Sequence, residues 1–164
     1  MNLFSEFEKR CEVFNIRNEG ITYILAYSGG TDSTALLHLT EKLCKCKGSN
    51  QFIVAHYNHT LRPEAEQEIK LIQSLCADNE LQLVIGKGDV ASEALKLKKS
   101  EHDMGRKMRY DFLAECALGV DVKPSDNLPS QTENVILTAH HQDDQIETVL
   151  MRLISGAGVD GMAG

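Results

Sequence analysis

The sequence predicts a doubly wound α/β domain, a mainly parallel sheet with helices on both faces, and three observations predict it. Four short apolar runs rich in β-branched residues occur at Ile21–Tyr27, Gln51–Tyr57, Leu81–Ile85 and Val135–Ala139. Helical patterns follow them at about 32–47, 63–79, 104–118 and 141–154, so strands and helices alternate. The first strand also runs directly into a turn of small residues that opens a helix. Alternation of this kind builds a parallel sheet covered on both sides, because each crossover helix must lie on one face. Ligands of such sheets bind beyond the carboxyl ends of the strands.

The elements can be justified in order. Residues 2–17 pattern as a leading amphipathic helix, with Leu3, Phe4, Phe7, Cys11 and Phe14 at roughly helical spacing. The strand Tyr23-Ile24-Leu25-Ala26-Tyr27 then gives way to Ser28-Gly29-Gly30-Thr31-Asp32-Ser33 and the helix of Thr34-Ala35-Leu36-Leu37. Gly29 and Gly30 permit positive φ and leave room for a phosphate against the backbone. The N–H groups opening the helix, and its positive dipole end, face an anion held there. Ser28 and Ser33 add hydroxyl donors, and Asp32 brings a carboxylate suited to Mg²⁺. No Gly-Lys-Ser/Thr follows, so this is not the phosphate loop that relies on lysine. A plain glycine turn between strand and helix is the alternative.

The second strand ends in His56-Tyr57-Asn58-His59-Thr60-Leu61-Arg62-Pro63. His-x-x-His hints at zinc, but the remaining ligands are missing and the spacing belongs to a strand end. These histidines suit stacking on a base or bonding a ribose, or else they are satisfied strand-end residues. Pro63 fits the first turn of the next helix, where Glu64 and Glu66 complement the dipole. Further on, Gly105-Arg106-Lys107-Met108-Arg109-Tyr110 puts two arginines three apart on a helix, able to converge on a phosphate. Gly119–Glu133, polar and carrying Pro124 and Pro129, reads as an exposed loop.

After the fourth strand, Thr138-Ala139-His140-His141-Gln142-Asp143-Asp144-Gln145-Ile146-Glu147-Thr148 concentrates histidines and carboxylates at a strand-to-helix junction. With a helix starting near His141, His140, Asp144 and Glu147 share a face over the strand ends. That face suits a cationic amine, a nucleophile or Mg²⁺. A carboxylate stabilised by the helix dipole accounts for one of these residues and poorly for the cluster.

Bulk properties narrow the class. The chain has 164 residues, 42% apolar and 25% charged, which suits one soluble domain spanning 1–164. No apolar run approaches the ~20 residues that span a bilayer. The N-terminus lacks the basic start and apolar stretch of a signal peptide, so a cytoplasmic location and no membrane partner are expected. The five scattered cysteines suit reduced thiols, and no Cys-x-x-Cys is present. A net charge of −7 disfavours non-specific nucleic-acid binding, although residues 87–109 hold seven basic side chains against four acids.

Taken together, these segments resemble the N-terminal catalytic domain of the tRNA(Ile)-lysidine synthetase family, pyrophosphate-loop ATPases with an adenine-nucleotide alpha-hydrolase-like fold. The resemblance spans roughly residues 20–164, including the glycine-rich tail from Gly156 to Gly164. It implies ATP-dependent ligation: ATP adenylates the C2 oxygen of the wobble cytidine, releasing pyrophosphate, and an amino group of lysine then displaces AMP. The implied cofactors are ATP and Mg²⁺. The implied partners are tRNA(Ile) with a CAU anticodon and free L-lysine, with a homodimer left open. Carried over by motif, Ala26, Ser28, Gly29, Gly30, Thr31, Asp32, Ser33 and His56 would bind the nucleotide, Asp32 also the metal. His140, Asp144, Glu147 and Arg106 would be catalytic. Ser155 stands where the family commonly has a basic residue, and the C-terminal tRNA-binding domains of relatives are expected to be absent. A tRNA-thiolating ATPase of the same loop family, or an ATP-binding remnant without ligase activity, are the alternatives.

Overall fold

The computed structural model describes residues 2–16, 20–47, 51–59, 65–119 and 133–140. Its four strands, β1 (Ile21–Ala26), β2 (Gln51–Asn58), β3 (Gln82–Lys87) and β4 (Glu133–Leu137), form one parallel sheet in the order β3-β2-β1-β4. The helices are α1 (Leu3–Val13), α2 (Thr31–Lys47), α3 (Ala65–Asp78), α4 (Val90–Leu97) and α5 (Glu101–Ala117). Among the described residues, no helix is long and apolar enough to cross a membrane.

The period-2 alternation of strand side chains divides the core into two layers. Leu25, Tyr27 and Val54 pack with Leu37 of α2 and with Ile72 and Cys76 of α3. Ile21 and Tyr23 continue that layer toward Phe4 and Cys11 of α1 and Leu43 of α2. Ile24 and Ala55 point the other way, onto Phe112, Leu113 and Cys116 of α5. The chain therefore winds outward from β1 to β3 with α2 and α3 on one face. It then returns across the other face through α5 to place β4 beside β1. β1 leads into α2 on one face, whereas β4 follows α5 on the other, so the strand order reverses between β1 and β4, where a crevice opens at their carboxyl ends.

The register also corrects the sequence reading. β4 spans Glu133–Leu137, not Val135–Ala139, because its pairing with β1 runs from Ile21↔Glu133 to Leu25↔Leu137 and β1 ends one residue later. Thr138, Ala139 and His140 thus lie beyond the sheet. Helix α4 is not foreseen from the apolar pattern, since only Val90 and Ala94 are buried on it and its Leu95 and Leu97 are exposed. Asp89 caps it, accepting from the Ser92 N–H at 3.0 Å, and Lys98 closes it in the left-handed region at φ 51°. Ser100 caps α5 by accepting from the Asp103 N–H at 3.1 Å, so that helix begins three residues before 104. The helix expected over 141–154, the loop expected between Gly119 and Glu133, and Pro63 lie outside the described residues, apart from the loop's two ends.

Candidate functional site

Where β1 ends, Tyr27 N–H donates to the Ala55 carbonyl at 2.9 Å, and the chain then turns away from the sheet. Gly29 makes that turn at φ +81°, a conformation costing other residues about 1–2 kcal/mol, and a Cβ there would meet nothing within 4 Å. The space in front of the turn is open. Gly30, expected to share the positive φ, does not adopt it. Its carbonyl instead accepts from the Ser33 and Thr34 hydroxyls, both at 2.9 Å, and from the Thr34 N–H at 3.0 Å. Ser28 Oγ lies 3.1 Å from the buried Ser33 Oγ, and Tyr27 OH lies 3.1 Å from Thr34 Oγ1. Local hydrogen bonds thus brace the turn, with the first turn of α2 and the exposed Asp32 carboxylate beside it.

This turn is one wall of a cavity of about 460 Å³, within the usual range for small-ligand sites. The end of β2 supplies a second wall. His56 is buried, and its Nδ1 lies 2.9 Å from the Tyr27 carbonyl. Because a carbonyl can only accept, Nδ1 carries the proton in the neutral ring. The third wall is α5. Gly105, Arg109, Phe112, Leu113 and Cys116 are spaced to form one stripe facing the sheet, and all but the half-buried Arg109 are buried. Burial, with Arg106 nearby, draws the Arg109 guanidinium below its ordinary range although Tyr110 opposes this. Burial also lowers His59, helped by the charges of Arg109 and His56, so the imidazole is kept neutral. Tyr57 is pushed up by burial and by Asp111 and Glu115.

The structure gathers Ala26, Ser28, Gly30, Thr31, Asp32, Ser33, His56 and His140 around this cavity, with Gly29 at its turn. His140 is exposed, its Nδ1 3.1 Å from Thr138 Oγ1. Arg106 is also exposed, its guanidinium 5.1 Å from the Tyr110 ring centre, and it is Arg109 that lines the cavity. Asp144 and Glu147 lie outside the described residues. Sequence reasoning passed over Tyr27 and Glu68, both in the lining. Tyr27 was hidden as the last residue of an apolar run. For Glu68 the usable signal was its place in the first turn of α3, at the carboxyl edge of the sheet.

Among the described residues no three His, Cys, Asp or Glu side chains gather as a metal cage. The Asp32 carboxylate beside an open turn nevertheless fits Mg²⁺, which is commonly held by one or two carboxylates together with phosphate oxygens. None of the five cysteines forms a disulfide, and none lines the cavity.

A glycine turn and helix start at the switch point of a parallel α/β sheet define a class of phosphate- and nucleotide-binding domains. The profile of the PP-loop domain family matches residues 3–164, and the chain belongs to that family. A tRNA(Ile)-lysidine synthase of Petrotoga mobilis is 34% identical over 166 residues, covering 99% of this chain and 50% of the relative. That of Enterococcus faecalis is 33% identical over 162 residues, with 99% and 32% covered. The bifunctional protein TilS/HprT of Listeria innocua is 38% identical over 141 residues, with 86% and 20% covered. The chain therefore spans half or less of the length of these relatives. Among solved structures, the U34-tRNA thiolase NcsA of Methanococcus maripaludis, determined with its 4Fe–4S cluster, superposes with a TM-score of 0.67 at 16% identity. It covers 96% of this chain and 51% of that one, and at such identity the likeness concerns the fold alone.

Proposed function

We propose that this chain is the ATP-activating domain of a lysidine-forming ligase acting on tRNA(Ile) with a CAU anticodon and on free L-lysine, in the cytoplasm. The observation that carries the reading is the braced Ser28–Ser33 turn at the switch point, in a chain a third identical to proteins named tRNA(Ile)-lysidine synthase. In the first step the C2 oxygen of the wobble cytidine attacks the α-phosphorus of ATP. An O–P bond forms, the bond to the β-phosphate oxygen breaks, and pyrophosphate leaves. In the second, an amino group of lysine attacks C2, the C2–O bond breaks, AMP departs with the electron pair, and the nitrogen loses a proton.

The residues divide the work by their chemistry. The backbone N–H groups opening α2, with the Ser28 and Ser33 hydroxyls, bind the departing pyrophosphate. Gly29 keeps the turn, and the bare Cα of Gly30 leaves space for phosphate oxygens. Ala26 and Ala55, small residues at the strand ends, leave a slot for a flat base, with His56 at its rim. Arg109 or Arg106 neutralises charge growing at the α-phosphate. Asp32 would hold Mg²⁺, which supplies charge neutralisation to the phosphates when bound. His140, Asp144 and Glu147 hold the ammonium of lysine and accept its proton.

Thiolation is the weaker reading. The buried Cys11, Cys44, Cys76 and Cys116 sit in the helix layers, and the exposed Cys46 lies near the end of α2 remote from the turn. No cysteine of the chain is therefore placed to deliver sulfur at the cavity.

The test is pyrophosphate release by the purified chain with ATP and Mg²⁺, with and without unmodified tRNA(Ile) transcript and radiolabelled lysine. The ligase reading expects release that depends on the tRNA, and label in the RNA. ATP binding without either product makes the chain an incomplete catalytic domain. Label from a sulfur donor in place of lysine would sink the proposal.

A further inference from the structure

His59 has a role that the nucleotide reading leaves unassigned. It stands at the end of β2 on the cavity wall, with the Tyr57 ring edge-on at 5.1 Å fixing its plane. Its Nδ1 is buried and has no hydrogen-bond partner among the described residues. That nitrogen faces α5 at Gly105, where an added Cβ would stand 3.3 Å from Nδ1 and 3.4 Å from Cε1. A glycine Cα offers no acceptor. An orphaned buried N–H is costlier than an orphaned acceptor, which favours the tautomer with its proton on Nε2, the ring nitrogen that is not among the buried unpartnered atoms.

Arg109 supplies the second observation. It follows Gly105 by four residues, so the two share a face of α5 and Arg109 lies one turn along from the His59 contact. The guanidinium is half-buried, and among the described residues it forms no ion pair. It lies over the Tyr110 ring, 5.7 Å from its centre. A half-buried cation with no ion-pair partner among the described residues, at the edge of a cavity, points to an anion site. Among the described residues, the charged or titratable groups facing His59 are Arg109 from α5 with His56 and the Tyr57 ring from β2, and α4 brings the apolar Val90 against Gly105. A second cation there would repel Arg109, whereas a neutral N–H adds a donor without adding charge.

We propose that His59 is a further binding residue of the pocket, a neutral Nε2–H donor that holds a phosphoryl oxygen of the bound nucleotide together with the Arg109 guanidinium. The inference rests on the reading of this cavity as a nucleotide site. It gives Gly105 a purpose as well: a side chain there would press on the imidazole and shift its donor.

Calorimetric titration of the full chain with ATP, AMP and adenosine tests the assignment. His59→Ala should weaken ATP and AMP about 10-fold or more while leaving adenosine within about 2-fold, the scale of one hydrogen bond to a charged group. His59→Gln, which keeps an N–H donor, should recover most of the loss. Wild-type affinity should be flat between about pH 6.5 and 8.5, because no imidazolium is required. Unchanged ATP affinity in a His59→Ala chain with native circular dichroism overturns the assignment. So does an equal loss for adenosine, which would put the ring on the nucleoside. Should both His59 variants unfold, Gly105→Ala serves instead: about 3-fold weaker ATP binding with helix content intact supports the proposal, and no change overturns it. A wild-type chain that binds no nucleotide overturns both this and the nucleotide reading. His59-dependent ATP binding without lysine transfer overturns the ligase reading alone.

Discussion

Two walls of the pocket are built by different physics. The turn after β1 is local: Ser28, Gly30, Ser33 and Thr34 lie within seven residues and bond one another. The α5 wall is long-range. Arg109 enters the cavity because it sits in the stripe that Phe112, Leu113 and Cys116 bury against Ile24 and Ala55, some 50 to 90 residues earlier in the chain. Arg106, three residues before it, falls off that stripe and is exposed. A local wall is specified by its own residues and tolerates changes elsewhere. A wall set by packing moves when the core moves.

The sharpest way to break this comparison is to exchange the arginines' fates. Arg109→Ala should weaken ATP binding about 10- to 100-fold, the scale of a partly desolvated charged hydrogen bond, and Arg106→Ala by less than about 3-fold. Equilibrium dialysis with labelled ATP measures both. A larger effect at Arg106 would mean that burial does not decide which arginine meets the nucleotide.

On the loop wall the glycines should part company. Gly29→Ala is expected to cost about 1–2 kcal/mol of stability through its positive φ, seen as a lowered thermal midpoint. Gly30→Ala should leave the midpoint almost unchanged, since its Cβ would lie 3.5 Å from Ser28 Oγ, yet it should weaken ATP binding by intruding on the phosphate space. If Gly30→Ala is instead the more destabilising, the turn is held by something other than backbone conformation. Smaller again is Ser33→Ala, which removes the bond to the Gly30 carbonyl. Urea unfolding should report a loss of about 1 kcal/mol.

The smallest effect is on pH dependence. His59 is lowered from an ordinary 6.5, so just below that value the unfolded chain binds a proton that the native chain refuses. Stability is therefore full above about pH 6.5 and is lost as pH falls through that window. His59→Gln should flatten this slope, read as urea midpoints at about pH 5.5 and 7.5. An unaltered slope would mean that α5 does not keep the imidazole neutral.

The same contrast explains what could be read without coordinates. The cradle was legible because strand, small-residue turn and helix start are contiguous, and the parallel sheet followed from alternation. His56 and His140 were placed on the correct edge by the strand-end rule alone. The share of φ between Gly29 and Gly30 was not legible, since either glycine can take the turn. Nor was it legible that Arg109 and not Arg106 lines the cavity, because both are cations on one helix and only the neighbouring strands reveal its buried side. Helix α4 escaped because Leu95 and Leu97 are exposed, which spoils the apolar period that marks a helix.

The placement of the cysteines has a practical consequence. Burial pushes the Cys44 thiol up to about 12 and raises Cys76, so both resist alkylation, and Cys11 and Cys116 are enclosed. Cys46 alone is exposed, fifteen residues along α2 from Thr31, or about 22 Å at the rise of a helix. A maleimide dye should therefore attach at one position of the native chain with no substitution made. Because α2 begins at the turn and ends at the dye, the fluorophore would ride on the element proposed to bind the phosphates while standing about 22 Å from that end.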